Sequence, residues 1–238
     1  MDSPFYVIAL DGVAGAGKSS TARSLAQKLN ITYIDTGAMY RALTLLALRQ
    51  GFTAQQENEL VGLAQTLNFS FDKNNSLWVN NENVALKIRT PEISSQVSHY
   101  CLHPRVRAIL VKQQRLMAQN QSAVLDGRDI ATVVFPHTPF KFFLWASPQA
   151  RAHRRVLELQ NQGIEASFSE VLKNIEERDN LDSNRTHSPL QKADGAILID
   201  TTSLTFDEQV NQIAQSVQNG LMNPEVLESL IQPSTSTH

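Results

Sequence analysis

Gly12-Val13-Ala14-Gly15-Ala16-Gly17-Lys18-Ser19 has the residue types and the spacing to hold a polyphosphate. In the pattern GxxxxGK[ST], glycines let consecutive backbone N–H groups turn inward around phosphate oxygens. The lysine reaches the outer oxygens, and the Ser or Thr hydroxyl ligates Mg²⁺. Lys18 and Ser19 fill those last two places, with the positive end of a following helix behind them. The expected ligand is a mononucleotide polyphosphate.

Further along, two segments could hold a second anion. Asp35-Thr36-Gly37-Ala38-Met39-Tyr40-Arg41 turns from a strand end into a helix that carries Arg41, although alone it also reads as a plain strand-helix junction with Asp35 or Thr36 as N-cap. Asp126-Gly127-Arg128-Asp129 follows the apolar run Ala123-Val124-Leu125. Asp126, at the end of a buried strand, is placed to order Mg²⁺ or its waters, and Arg128 offers a rigid fork of donors to a phosphate dianion. Ionised Asp129 can only accept hydrogen bonds and so selects a ligand that offers donors. The alternative for this segment is a tight turn closed by an Arg-Asp ion pair.

Arg151, Arg154 and Arg155 lie at i, i+3 and i+4, and Arg178, Asp182 and Arg185 at i, i+4 and i+7, so each set projects from one helix face. Either these faces are solvated and laced with ion pairs to Glu158, Glu176, Glu177 and Asp179, or they dock an anion. Arginines on a lobe above a phosphate loop predict a lid that excludes water and stabilises charge on a transferring phosphoryl group. Pro104-Arg105-Val106-Arg107 opens a helix that continues through Ile109, Leu110 and Leu116. His99, His103, His137, His153 and His187 lack metal-ligand spacing and read as surface or core residues.

These residues need a frame. Tyr6 to Leu10, Thr32 to Asp35, Ala123 to Asp126, Lys141 to Trp145 and Ala196 to Asp200 are short apolar runs alternating with helical patterns, which predicts an α/β fold with a parallel sheet covered by helices on both faces. After the phosphate loop, for instance, Ala22, Leu25, Ala26 and Leu29 recur at helical spacing. Two segments break the alternation. Phe69-Ser70-Phe71, Leu77-Trp78-Val79 and Val84-Ala85-Leu86, separated by Asp72-Lys73-Asn74-Asn75 and Asn80-Asn81, predict a small inserted antiparallel sheet. Pro148 to Leu190, rich in Arg and Glu, predicts a helical lobe of two helices joined near Gly163.

Composition narrows the classes further. The 238 residues suffice for one domain with inserted lobes, and a net charge of −2 gives no electrostatic footprint for nucleic acid. Cys101 is the single cysteine, which excludes an intrachain disulfide and fits a reducing compartment. No run of about 18 apolar residues and no secretory leader pattern is present, so the expectation is a cytoplasmic protein off the membrane. Gln232 to His238 is expected to fray.

Five words in order, Asp35 to Arg41, Ile88-Arg89-Thr90, Pro104 to Arg107, Asp126 to Asp129 and Arg178-Asp179 through Asp182 to Arg185, carry a resemblance. With the phosphate loop, they make the chain resemble the bacterial cytidylate kinase family of P-loop nucleoside monophosphate kinases, from Ile8 to about Val210. The resemblance implies a P-loop NTPase three-layer sandwich with a five-stranded parallel sheet, an inserted small antiparallel β lobe and a short helical lid. The core would comprise residues 1–36, 104–147 and 191–220, the CMP-binding lobe about 37–103, the lid about 148–190 and a tail 221–238.

It also implies roles at matching positions. Gly12, Val13, Ala14, Gly15, Ala16, Gly17, Lys18, Ser19 and Ser20, with Arg154 and Arg155, would bind ATP, and Ser19 would ligate Mg²⁺. Thr36, Tyr40, Arg41, Arg128, Arg178, Asp182 and Arg185 would hold the sugar and phosphate of CMP or dCMP, while Ser98, Arg107 and Asp129 would face the cytosine. Lys18, Asp126, Arg128, Arg178 and Arg185 would act in the transfer itself. The expected activity is an ATP:CMP phosphotransferase, working as a monomer without a nucleic-acid partner. UMP, AMP or shikimate as acceptor, or a nucleotide-dependent switch, are the rivals. Val13 replaces a frequent Pro and Ala131 a frequent Gly of the family pattern; the first bears on loop stiffness, the second on the backbone beside the acceptor.

Overall fold

The computed structural model describes residues 4–161 and 163–231. The strands are β1 (Val7–Gly12), β2 (Thr32–Asp35), β3 (Phe69–Phe71), β4 (Leu77–Val79), β5 (Glu82–Asn83), β6 (Ala123–Asp126), β7 (Phe140–Trp145) and β8 (Ile197–Asp200). The helices are α1 (Lys18–Leu29), α2 (Thr36–Arg49), α3 (Glu57–Thr66), α4 (Pro91–Tyr100), α5 (Pro104–Met117), α6 (Pro148–Asn161), α7 (Phe168–Asn184), α8 (Phe206–Leu221) and α9 (Pro224–Ile231).

The expected parallel sheet has the order β2-β6-β1-β7-β8, with β1 at its centre. Ile8, Ala9 and Leu10 are all fully buried because helices cover both faces. Ile8 and Leu10 pack with Leu25 of α1 and Ile213 and Val217 of α8, whereas Ala9 joins Ile34, Leu125 and Val111 on the opposite side. Register then decides what lies at the C-terminal edge. Asp35 and Leu10 each sit opposite Asp126, and Gly12 sits opposite Leu144, so the phosphate loop and two carboxylates emerge together. Gly12 has φ +145, and a Cβ there would lie 2.0 Å from the Leu144 carbonyl oxygen. Only glycine fits.

A second core, including Leu43, Leu60, Leu77, Val79, Val84 and Leu110, fills the lobe built from α2 to α5 and the antiparallel sheet β3-β4-β5. Asp35 starts α2 by accepting the Ala38 amide at 2.7 Å, and Thr90 starts α4 by accepting the Ile93 amide ahead of Pro91. The third strand differs from the sequence expectation: it is Glu82–Asn83, not Val84 to Leu86. Asn80 and Asn81 both take positive φ, closing a two-residue hairpin that pairs Val79 with Glu82. Val84 instead turns its side chain into the lobe core.

The expected tail needs correction too. Leu221 ends α8, and Pro224–Ile231 is a helix whose Val226 and Leu230 pack against the main core. The Asn223 side chain accepts the Glu225 amide at 2.9 Å, and Pro224 supplies the fixed φ of a first helical residue. Gln232 to His238 lie outside the described residues. Among those residues, no helix is long and apolar enough to cross a membrane.

Candidate active site

A cleft of about 520 Å³ opens where β1, β2 and β6 end, between the lobe and the two lid helices α6 and α7. Ala14, Gly15, Gly17, Lys18, Ser19 and Ser20 line its floor, while Gly12, Val13 and Ala16 lie buried behind them. Gly15 and Gly17 take φ +75 and +84, the left-handed conformations that turn loop amides toward a ligand. Lys18 Nζ, almost wholly buried, donates to the Val13 carbonyl at 2.6 Å. Burial, then the positive charge of Arg128, pushes its pKa well below the usual lysine range, with Asp126 pulling the other way. An arriving polyphosphate would reverse that imbalance.

Ser19 Oγ donates to Asp126 Oδ2 at 2.7 Å, Tyr33 Oη donates to Asp126 Oδ1 at 2.9 Å, and Thr36 Oγ1 donates to the Asp126 carbonyl at 2.6 Å. Burial raises the Asp126 pKa, and the nearby Asp35 carboxylate adds to the rise. The Asp126 carboxylate thus receives hydroxyl donors from Ser19 and Tyr33, an oxygen-rich setting suited to a further cation.

From Asp35 toward the lid, cations collect. Arg41 and Arg89 both reach Asp35, at 3.2 and 3.3 Å, and Arg128 Nε donates to Asp182 Oδ2 at 2.8 Å. Arg41 Nε, Arg178 Nε and Arg185 Nη2 are buried without a hydrogen-bond partner. Burial, then Arg128, lowers the Arg178 pKa to about 10. Asp182 responds in the opposite sense: burial raises its pKa, but Arg128 and Arg178 together hold it below the usual carboxylate range. Deeper still, Arg107 pairs with Asp129 at 2.5 Å, donates to the Cys101 carbonyl at 3.2 Å and lies 4.9 Å over the Tyr40 ring. Ser98 Oγ donates to Asp182 Oδ1 at 3.3 Å, so the lid touches the lobe.

The cleft thus sets a phosphate loop opposite arginines from the lobe and the lid. Residues 8–219 match the family model described as Cytidylate kinase. The chain belongs to the cytidylate kinase family. A cytidylate kinase of Caldanaerobacter subterraneus subsp. tengcongensis is 49% identical over 89% of this chain and 94% of that relative, and one of Desulforamulus reducens is 46% identical over 90% and 97%. An uncharacterized protein of Eubacterium ventriosum shares the fold, with a TM-score of 0.50 at 13% identity over 90% of this chain and 98% of that one.

Against that family, the residues expected at the site fall into two groups. Thr36, Tyr40, Arg41, Ser98, Arg107, Arg128, Asp129, Arg178, Asp182 and Arg185 all line the cleft with Lys18 and Asp126. Arg155, expected at ATP, does not itself line the cleft; it pairs at 2.9 Å with Glu158, which does. Arg154 does line it, and donates to Thr201 Oγ1 at 3.2 Å. Arg151 leaves the shared face altogether. Its guanidinium is buried, donating to the carbonyls of Ala14 and Ala146 at 2.9 Å each and pairing with Asp179 at 2.7 Å, so it braces the phosphate loop.

Other cytidylate kinase residues escaped sequence reasoning. Arg89 lines the cleft beside Arg41, and its place in Ile88-Arg89-Thr90 was a signal. Leu204, Phe206 and Gln209 line the phosphate-loop end. Their signal was the capping box Thr205-x-x-Glu208, which fixes where α8 begins beside the loop.

Proposed function

We propose that the protein transfers the γ-phosphoryl group of Mg²⁺-bound ATP to the phosphate of CMP, giving ADP and CDP, with dCMP as a second acceptor. The observation that carries this reading is the convergence of Lys18, Arg41, Arg128, Arg178 and Arg185 on one cleft, with buried guanidinium nitrogens left unpartnered on three of them. Leaving such groups unpaired is costly, and phosphate oxygens would satisfy them.

Ser19 and Asp126 would hold the metal. They present oxygen donors 2.7 Å apart at the phosphate loop, and no cluster of three or more His, Cys, Asp or Glu suited to a metal occurs among the described residues, which fits an ion completed by phosphate oxygens and water. When bound, Mg²⁺ neutralises charge on the transferring group. The chain does the rest by alignment: loop amides and Lys18 orient the donor, Arg41, Arg89 and Arg128 orient the acceptor, and Arg178 and Arg185 close from the lid. The acceptor oxygen is already anionic at neutral pH, so no strong general base is required.

Acceptor identity rests on Asp129, Arg107 and Ser98. Cytosine presents an amino donor beside ring and carbonyl acceptors, matching an acceptor-only carboxylate and two donors, whereas uracil reverses the order at two adjacent positions. The reading takes the working form to be a cytoplasmic monomer. A coupled assay of ADP release with CMP, dCMP, UMP, AMP and shikimate tests it. CMP should be used most efficiently and dCMP next; no CMP-dependent ADP release would end it.

A further inference from the structure

Asp11 is the penultimate residue of β1, directly before Gly12 of the phosphate loop, and it is buried with 1% exposure. It reaches across to a segment 119 residues away: Oδ1 accepts the Ile130 amide at 2.8 Å and Oδ2 accepts the Ala131 amide at 2.7 Å. Those amides open the π-helical turn Ile130–Val134, and the first amides of any helical turn have no partner within it. Asp11 therefore caps that turn from another strand, using both oxygens.

The capped amides follow Asp129 and Arg128 directly. Asp129 N-caps the turn with φ −145, and its own side chain makes no cap hydrogen bond, which leaves it free to point at Arg107 and the cleft. Gly127, on the other side, is tight: a Cβ there would lie 2.7 Å from Ile130 Cδ1. The segment is thus pinned at both ends. Burial of Asp11 raises its pKa to about 7, opposed by the two amide hydrogen bonds, with the Asp129 charge adding to the rise and Lys18 opposing it. Placing a second acid near Asp129 is unfavourable, so the two amide bonds hold it there against that cost.

We infer that Asp11 is a positioning residue for acceptor recognition: it ties the strand that feeds the donor loop to the backbone that presents Asp129 and Arg128. The inference rests on the CMP kinase reading above. Its reach is specific. Losing the Asp11 carboxylate frees the 128–131 backbone while leaving the loop glycines, Lys18 and Ser19 in place.

The test is Asp11→Asn, which keeps the shape but can accept only one of the two amides and turns an NH₂ toward the other. Steady-state kinetics on wild type and variant should show KM for CMP raised about tenfold or more and the CMP-to-UMP ratio of kcat/KM lowered by a similar factor, with KM for ATP within about twofold. An unchanged CMP-to-UMP ratio, or equal rises in KM for CMP and ATP, overturns the inference. If wild type itself shows no preference for CMP, the functional reading fails instead. Should the variant not fold, hydrogen exchange on the nucleotide-free wild type decides: the Ile130 and Ala131 amides should be protected before CMP is added, and exchange at open-loop rates overturns the inference.

Discussion

Exchange of Asp129 for Asn should convert a cytosine reader into one that tolerates uracil. Asp129 is buried and paired with Arg107 at 2.5 Å, so truncation to Ala would strand the Arg107 charge at a cost of about 3–5 kcal/mol and confuse folding with recognition. Asn keeps an oxygen for Arg107 and adds a donor. Toward CMP it loses the charge-assisted hydrogen bond to the amino group, about 2 kcal/mol; toward UMP its NH₂ can meet the O4 acceptor and gains about 1 kcal/mol. The sum of about 3 kcal/mol predicts a fall of roughly 100-fold in the CMP-to-UMP ratio of kcat/KM. The assay is ADP release with each acceptor at saturating ATP, alongside a melting curve to establish folding. An unaltered ratio, or equal losses with CMP and UMP, would refute the claim that this carboxylate reads the base.

Three other outcomes follow from the same geometry. Lys18→Ala should lower kcat by orders of magnitude without lowering the melting temperature of the unliganded protein, because burial first, and then Arg128 and Arg178, disfavour its charged form there; near-normal turnover would remove the phosphate loop from catalysis. Asp182→Asn weakens the contacts from the lid to Arg128 and Ser98, so proteolysis between residues 148 and 190 should quicken in the presence of both nucleotides, and cleavage at the wild-type rate would show that this carboxylate does not hold the lid. The Asp11 carboxyl has a folded pKa raised to about 7 from 3.8, so its contribution to stability is full below the unfolded pKa and is lost as pH rises through 7. Urea unfolding at pH 5 and pH 7.5 should therefore show a drop in wild type that Asp11→Asn reduces, and identical drops would refute the assignment.

Much of the fold was legible because its signals are local. Apolar runs of strand length, the helical repeat after the phosphate loop and the Asn80-Asn81 turn are properties of neighbours in the chain, and each formed the type of element expected. Where a boundary slipped, a single turn was responsible: once Asn80 and Asn81 both adopt positive φ, pairing must begin at Glu82, and Val84 is left for the core. α9 was missed although Asn223-Pro224 and the spacing of Val226, Leu227 and Leu230 announced it; the polar end that follows drew the whole segment into a tail.

The phosphate loop, the parallel α/β frame and the arginine-bearing segments can be read from residue order alone, since they depend on residue type and on spacing within one element. How those segments are aimed depends on packing between distant elements. Helical spacing placed Arg151, Arg154 and Arg155 on one side of α6, but the approach of that helix to the loop sends Arg151 inward to Ala14, Arg154 to the cleft and Arg155 to Glu158. The same holds for the pairings of Ser19 with Asp126 and of Asp11 with Ile130 and Ala131. Each joins groups more than a hundred residues apart, brought together by strand order and register at one sheet edge, and neither order nor register is written in any single stretch of chain.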